Sequence, residues 1–135
     1  RFHSDYRSEK VKAIKENPTC SVIGYDPANK TQIRMVGKAK INHKNKKSQK
    51  AWEESQSISK KCYSVKDGSS NVINKPELYD FHIKDIGLEE GYENFSTITF
   101  TFTSLEFLYL QRSGHRRCKF EWDNKGKMKS YWLVP

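Results

Sequence analysis

The sequence predicts a mainly β, α+β domain: an antiparallel meander of about five or six strands with two helices, in the pattern of a small barrel closing on itself. Three observations carry this. The stretch NFSTITFTFTS alternates apolar residues with threonine and runs directly into LEFLYLQ. Two further strand-like segments, HRRCKFEW and MKSYWLVP, follow Arg-Ser-Gly and Asp-Asn-Lys-Gly turns. Earlier in the chain, TCSVIGY and QIRMVGKAKI flank DPANK, which reads as a hairpin.

Taken in order, Ser8 is placed as the N-cap of a short helix with Val11 and Ile14 facing inward, and Asn17-Pro18 ends it. In the long strand, Ile33, Met35, Ala39 and Ile41 share a face, and Gly37 interrupts the alternation. A glycine inside a strand marks a bulge or a close backbone approach. Residues 44–63 favour a second helix, with Ala51, Trp52, Ser55 and Ile58 as its inward stripe. Residues 64–94 carry Gly, Ser, Asn and Pro without a sustained period, so they read as loop with a turn of helix after Pro76. A loop of this length is either functional or mobile.

The composition bounds the function. With 135 residues, 35% hydrophobic and 30% charged, the chain suits a single globular domain. No apolar run reaches membrane-span length and the opening RFHSDYRSEK is unlike a signal peptide, so a cytoplasmic protein without a membrane partner is expected. Cys20, Cys62 and Cys118 are odd in number and in no metal-like pairing; they read as reduced packing residues, and no metal site is expected. The net charge of +9 attracts polyanions, phosphate cofactors or headgroups without choosing among them.

Three clusters could carry chemistry. The run from His3 to Lys10 gathers hydroxyls and cations at a helix start, where unpaired N–H groups favour phosphate; a capped surface helix with basic neighbours is the other reading. Gln32 offers a side-chain amide to the edge of a heteroaromatic ring, or simply faces solvent. Gly114-His115-Arg116-Arg117 opens a strand with alternating cations, which also suits a soluble edge strand.

In sequence order, these pieces resemble the pyridoxamine 5'-phosphate oxidase-like FMN-binding split-barrel family. The resemblance rests on Phe-His-Ser-Asp-x-Arg-Ser-x-Lys before a helix ending in Asn-Pro, then Gln-x-Arg-x-x-Gly-x-Ala, Ala-Trp with Gln-Ser, Gly-His-Arg-Arg, and a final Trp-Leu-x-Pro. It implies an antiparallel split β-barrel over residues 1–135, with FMN as cofactor and a homodimer as the working form. Ser4, Arg7, Ser8 and Lys10 would hold the FMN phosphate and Gln32 would reach the ring. Gln56, Ser57 and Arg117 would complete the flavin site of the partner subunit, and His115 would line the substrate face, with no side chain required as a catalytic acid or base.

The departures are also informative. The family's oxidases begin with two strands ahead of this motif, so the chain is expected to be a fragment lacking them. Glu9 stands where those oxidases have arginine, with Arg7 nearby as a substitute. Ser113-Gly114-His115 lacks the arginine of their Arg-x-His substrate motif, and the segment between Gly37 and Trp52 is short for substrate-phosphate residues. The expectation is therefore the family's uncharacterised FMN-binding branch rather than vitamin B6 oxidation. The alternatives are a flavin-binding module without turnover and, less favoured, a basic nucleic-acid-binding barrel stacking bases on Tyr109, Phe120 and Trp122.

Overall fold

A computed structural model describes residues 1–80 and 87–135. The part of the loop reading that falls on residues 81–86 lies outside the described residues. Among the described residues, six strands and three α-helices occur in the order β1 (Phe2–Asp5), α1 (Glu9–Glu16), β2 (Thr19–Asp26), β3 (Thr31–Asn42), α2 (Lys46–Glu53), α3 (Ser57–Ser64), β4 (Phe95–Tyr109), β5 (Arg116–Trp122) and β6 (Met128–Leu133). Short 3-10 turns occupy Pro76–Tyr79, as expected after Pro76, and Glu89–Asn94. The sheet runs β2-β3-β4-β5-β6, with β1 pairing to β4, and every pairing whose register is defined is antiparallel.

The chain divides into two compact units. The first comprises Arg1–Pro18 and Lys40–Thr99. Its core is Ala51, Trp52 and Phe95, with Tyr63 and Tyr92 packed against them. Trp52 meets the Phe95 ring at 5.1 Å and Tyr63 meets the same ring edge-on at 5.0 Å, within the range where aromatic pairs add to simple burial. β1 enters this unit by pairing Phe2 with Ile98 and Asp5 with Phe95, and the Ser96 hydroxyl donates to the Ser4 carbonyl at 2.8 Å.

α2 starts at a complete capping box. The Asn45 side chain accepts from the N–H groups of Lys47 and Ser48, and the Ser48 hydroxyl accepts from the Asn45 N–H at 2.9 Å. Such a cap contributes about 1 kcal/mol. The single helix expected over residues 44–63 is instead two. α2 ends as the Ser55 hydroxyl bonds back to the Ala51 carbonyl at 2.7 Å, and α3 begins after an extended Gln56. This break turns Ile58 outward, contrary to the expected inward stripe, while Ala51 and Trp52 are buried as expected. Gly91 permits the 3-10 turn before β4 to press on the helices: a Cβ there would sit 2.6 Å from the Ser64 hydroxyl and 2.9 Å from the Trp52 ring.

The second unit comprises Thr19–Ala39 and Phe100–Pro135. Its β2–β3 hairpin turns through Asp26, whose carboxylate accepts from the N–H groups of Ala28 and Asn29, as DPANK implies. The β5–β6 turn is held likewise, with Asp123 accepting from Lys125 and Lys127. Gly37 is a close approach: a Cβ at this position would lie 2.1 Å from the Thr101 carbonyl oxygen and 2.5 Å from the Phe102 Cα. The two segments read as NFSTITFTFTS and LEFLYLQ form one continuous strand, β4. Among the cysteines, all free, Cys118 is buried as a packing residue, whereas Cys62 is exposed, against expectation.

Candidate functional site

The His3–Lys10 motif forms a strand, a turn and a helix start rather than a bare lead-in to the helix. β1 carries His3, Ser4 and Asp5 along the edge of β4; the chain then turns, and α1 begins at Glu9. Ser8 occupies the N-cap position, but its side chain does not cap the helix. Its hydroxyl instead faces that of the buried Ser4 at 3.2 Å. Two hydroxyls thus converge where the helix presents its first N–H groups, an arrangement suited to an anion.

These residues form one wall of a cleft of about 590 Å³, with Lys10 and Glu9 beside them. Cys62 and Tyr63 of α3 and residues 67–71 also line it. The nearby acids are largely engaged. Asp5 binds Arg7 at 2.8 Å, Glu9 pairs with Lys12, and Asp67 accepts a hydrogen bond from the Tyr79 hydroxyl. Lys10 places its Nζ 5.5 Å from the Phe2 ring centroid at the cleft edge. His3 also lines the cleft. Burial holds its imidazolium below the ordinary range, with repulsion from Arg1 adding to the effect, so near neutrality the ring is a neutral hydrogen-bonding group. Burial likewise pushes the Tyr63 hydroxyl up, keeping it protonated.

Ser4, Ser8 and Lys10 are therefore brought together as the sequence suggested. Arg7 is not. Its Nε and one terminal nitrogen bind the Asp5 carboxylate, and the terminal nitrogens reach the Val65 and Lys66 carbonyls at 2.8 to 3.2 Å. That occupies a guanidinium's five donors. Arg7 does not line the cleft, so the substitution for the missing arginine at Glu9 is not made by this side chain in the structure.

Gln56 and Ser57 sit at the start of α3, exposed, and do not line the cleft; the Gln56 carbonyl receives the N–H groups of Ser59 and Lys60. The remaining candidates belong to the second unit. Gln32 is half-buried on β3, opposite Tyr25. Arg117 on β5 makes a two-nitrogen contact with Glu106 at 2.7 and 3.1 Å. The His115 Nδ1 accepts from the Gln111 N–H at 3.2 Å, which leaves the proton of the neutral ring on Nε2. The cleft also contains His3, from the motif itself, and groups outside the sequence motifs, namely Tyr63 and residues 67–71. For residues 67–71 the sequence signal was the KDGSSN stretch inside a loop too long to be a simple connection.

β1 thus brings the Ser4 hydroxyl beside Ser8 and Lys10 at a helix start on an antiparallel α+β scaffold, an arrangement whose chemistry suits an anion. Residues 1–43 match the family model described as pyridoxamine 5'-phosphate oxidase, FMN-binding domain. Ser4, Ser8, Lys10 and Gln32 fall inside this match, whereas Gln56, Ser57, His115 and Arg117 fall outside it. Among solved structures, the chain is similar to a pyridoxamine 5'-phosphate oxidase-related, FMN binding protein from Nostoc punctiforme. The TM-score is 0.80 at 18% identity, covering 99% of this chain and 72% of that one. It is also similar to PhzG from Burkholderia lata, a structure in complex with tetrahydrophenazine-1-carboxylic acid, with a TM-score of 0.76 at 17% identity over 99% of this chain and 67% of that one. At such identities the likeness is one of fold, and it bears out the expected α+β split-barrel class. The resemblance to the family read from the sequence is thus supported both by the family match and by the fold. No curated protein matches the sequence significantly. Among the described residues, no helix is long and apolar enough to cross a membrane.

Proposed function

We propose that the chain is an FMN-binding, flavin-dependent oxidoreductase, cytoplasmic and homodimeric, with the FMN phosphate held by Ser4, Ser8 and Lys10 at the start of α1. The observation that carries this reading is the uncapped helix start: the Ser8 hydroxyl points at Ser4 instead of at its own helix, inside the stretch that matches the FMN-binding family. A phosphate there accepts hydrogen bonds from both hydroxyls and pairs with Lys10. The residues present fit the group: Asp5 and Glu9 are paired with Arg7 and Lys12, so Lys10 can meet the phosphate beside Ser4 and Ser8, while Asp67 keeps its charge as it accepts from the Tyr79 hydroxyl.

When bound, FMN supplies hydride or electron transfer. The chain's own residues bind and orient. Ser4 and Ser8 fix the phosphate end, neutral His3 donates or accepts without adding charge, and protonated Tyr63 lines the same cleft. For Gln32 at the ring, for Gln56, Ser57 and Arg117 toward a partner subunit's flavin, and for His115 at the substrate face, the assignment stands on the family resemblance. The homodimer is supported by large apolar side chains left exposed on the second unit's strands, with Trp132 at 67% and Ile23 at 57% exposure.

The test is an absorbance spectrum of the purified protein before and after addition of FMN and desalting. Flavin bands at about one per subunit are expected; a protein that stays colourless after reconstitution would refute the reading. Steady oxidation of a reduced nicotinamide or of a pyridoxamine-type amine separates an oxidoreductase from a binding module without turnover.

A further inference from the structure

The Arg7 side chain lies between two parts of the cleft wall. On one side Asp5 accepts from its Nε at 3.0 Å, from a terminal nitrogen at 2.8 Å and from the Arg7 backbone N–H at 2.8 Å. On the other, the Val65 and Lys66 carbonyls take the remaining guanidinium protons. The loop beyond is drawn close over the same residue, since a Cβ on Gly68 would lie 3.2 Å from the Arg7 Cβ. It then folds through a turn closed by the Asn71 N–H to the Gly68 carbonyl, with Ser70 in the left-handed region at φ 75°. A second fastening joins Asp67 to Tyr79. So fixed, Ser69, Ser70 and Asn71 line the same cleft as Ser4, Ser8 and Lys10.

We propose that residues 65–71 form a strap across the cleft, that Arg7 is its clamp and not a phosphate ligand, and that Ser69 and Asn71 hydrogen-bond the polyol portion of a sugar-phosphate-like occupant. The proposal rests on the flavin reading above for the identity of that occupant. A guanidinium whose donors are all spent on protein acceptors cannot also bind phosphate without releasing the loop. At the tip of the strap, Ser69, Ser70 and Asn71 carry uncharged polar side chains, which suits hydroxyl groups, while the anionic end is met by Lys10 and the helix start.

The experiment compares FMN with riboflavin, which shares the ribityl chain but lacks the phosphate, by quenching of flavin fluorescence. Lys10→Ala weakens FMN and leaves riboflavin unchanged. Arg7→Ala weakens both by the same factor, about tenfold, the equivalent of one lost hydrogen-bonding arrangement. If Arg7→Ala weakened FMN alone, Arg7 would be a phosphate ligand and the clamp would be refuted. Because Arg7→Ala disturbs several contacts, Ser69→Ala/Asn71→Ala serves as the second variant. It is expected to weaken both flavins several-fold with an unchanged Tm, and unchanged binding would overturn the strap's contact with the occupant. Hydrogen exchange of residues 66–71 without any ligand reads the clamp independently: faster exchange in Arg7→Ala is expected, and equal exchange would sink it. A wild-type protein that bound neither flavin would overturn the functional reading and the ligand contact together, while exchange would still decide the clamp.

Discussion

Replacing Gly37 by alanine tests the packing of the long strand. The added methyl would sit 2.1 Å from the Thr101 oxygen, 2.5 Å from the Phe102 Cα and 2.8 Å from the Thr101 carbonyl carbon, where ordinary contact begins at 3.4 Å. All three atoms are backbone, so no rotamer change relieves the overlap. β3 and β4 must part by more than an ångström locally, stretching ladder hydrogen bonds. Overpacking typically costs 1–3 kcal/mol, and with only backbone to yield the cost here is about 3 kcal/mol. With unfolding entropy near 2.1 cal/mol/K per residue, that lowers the Tm of a chain of this size by about 10 °C. Gly24 is the internal control: it lies on β2, paired to β3, with nothing within 4 Å of its Cβ position. Gly24→Ala should be neutral or slightly stabilising, because alanine loses less chain entropy on folding. The assay is thermal unfolding of both variants beside the wild type. Equal midpoints for Gly37→Ala and Gly24→Ala would refute the close approach.

The other predictions concern the first unit. Lys10→Ala should reduce FMN retention after desalting far more than Lys47→Ala in the lysine-rich α2, because Lys10 alone of the two lines the cleft; equal losses would remove Lys10 from the phosphate site. His3 should titrate in an NMR experiment with a midpoint below 6.5, since burial and then Arg1 disfavour its charged form. The folded state then binds that proton less readily than the unfolded chain, so stability is lost as pH falls through 6.5 toward the folded value, and His3→Gln should flatten this slope. Gly91→Ala should destabilise the core by about 1–3 kcal/mol and alter Trp52 fluorescence, because the methyl meets the Trp52 ring and the Lys60 carbonyl at 3.0 Å or less; wild-type stability and emission would show the packing to be looser.

What could be read from the residues was what local chemistry decides. Asp26 and Asp123 announced their turns, Asn17-Pro18 closed α1, Pro76 opened a 3-10 turn, and the broken alternation at Gly37 marked a close approach. What escaped was set by distant partners. β1 is four residues long, too short for a period, and is a strand only because β4 pairs with it. The break between α2 and α3 has neither glycine nor proline to signal it; Ser55 bonding back to Ala51 and the extended Gln56 make it. At the site, the hydroxyls and Lys10 were legible because a helix start has known electrostatic demands. The fate of Arg7 was not, since its acceptors are carbonyls some sixty positions away, at separations of 58 and 59.

The β1–β4 pairing also bears on when the cleft comes into being. The Ser96 hydroxyl meets the Ser4 carbonyl across a separation of 92 residues. During synthesis the Ser4–Lys10 stretch therefore leaves the ribosome well before β4, and waits for the closure of a loop of some ninety residues before it has a scaffold. Ligand capture then has to follow the pairing of β1 with β4, and a nascent chain stalled before residue 95 carries the proposed binding motif without its scaffold.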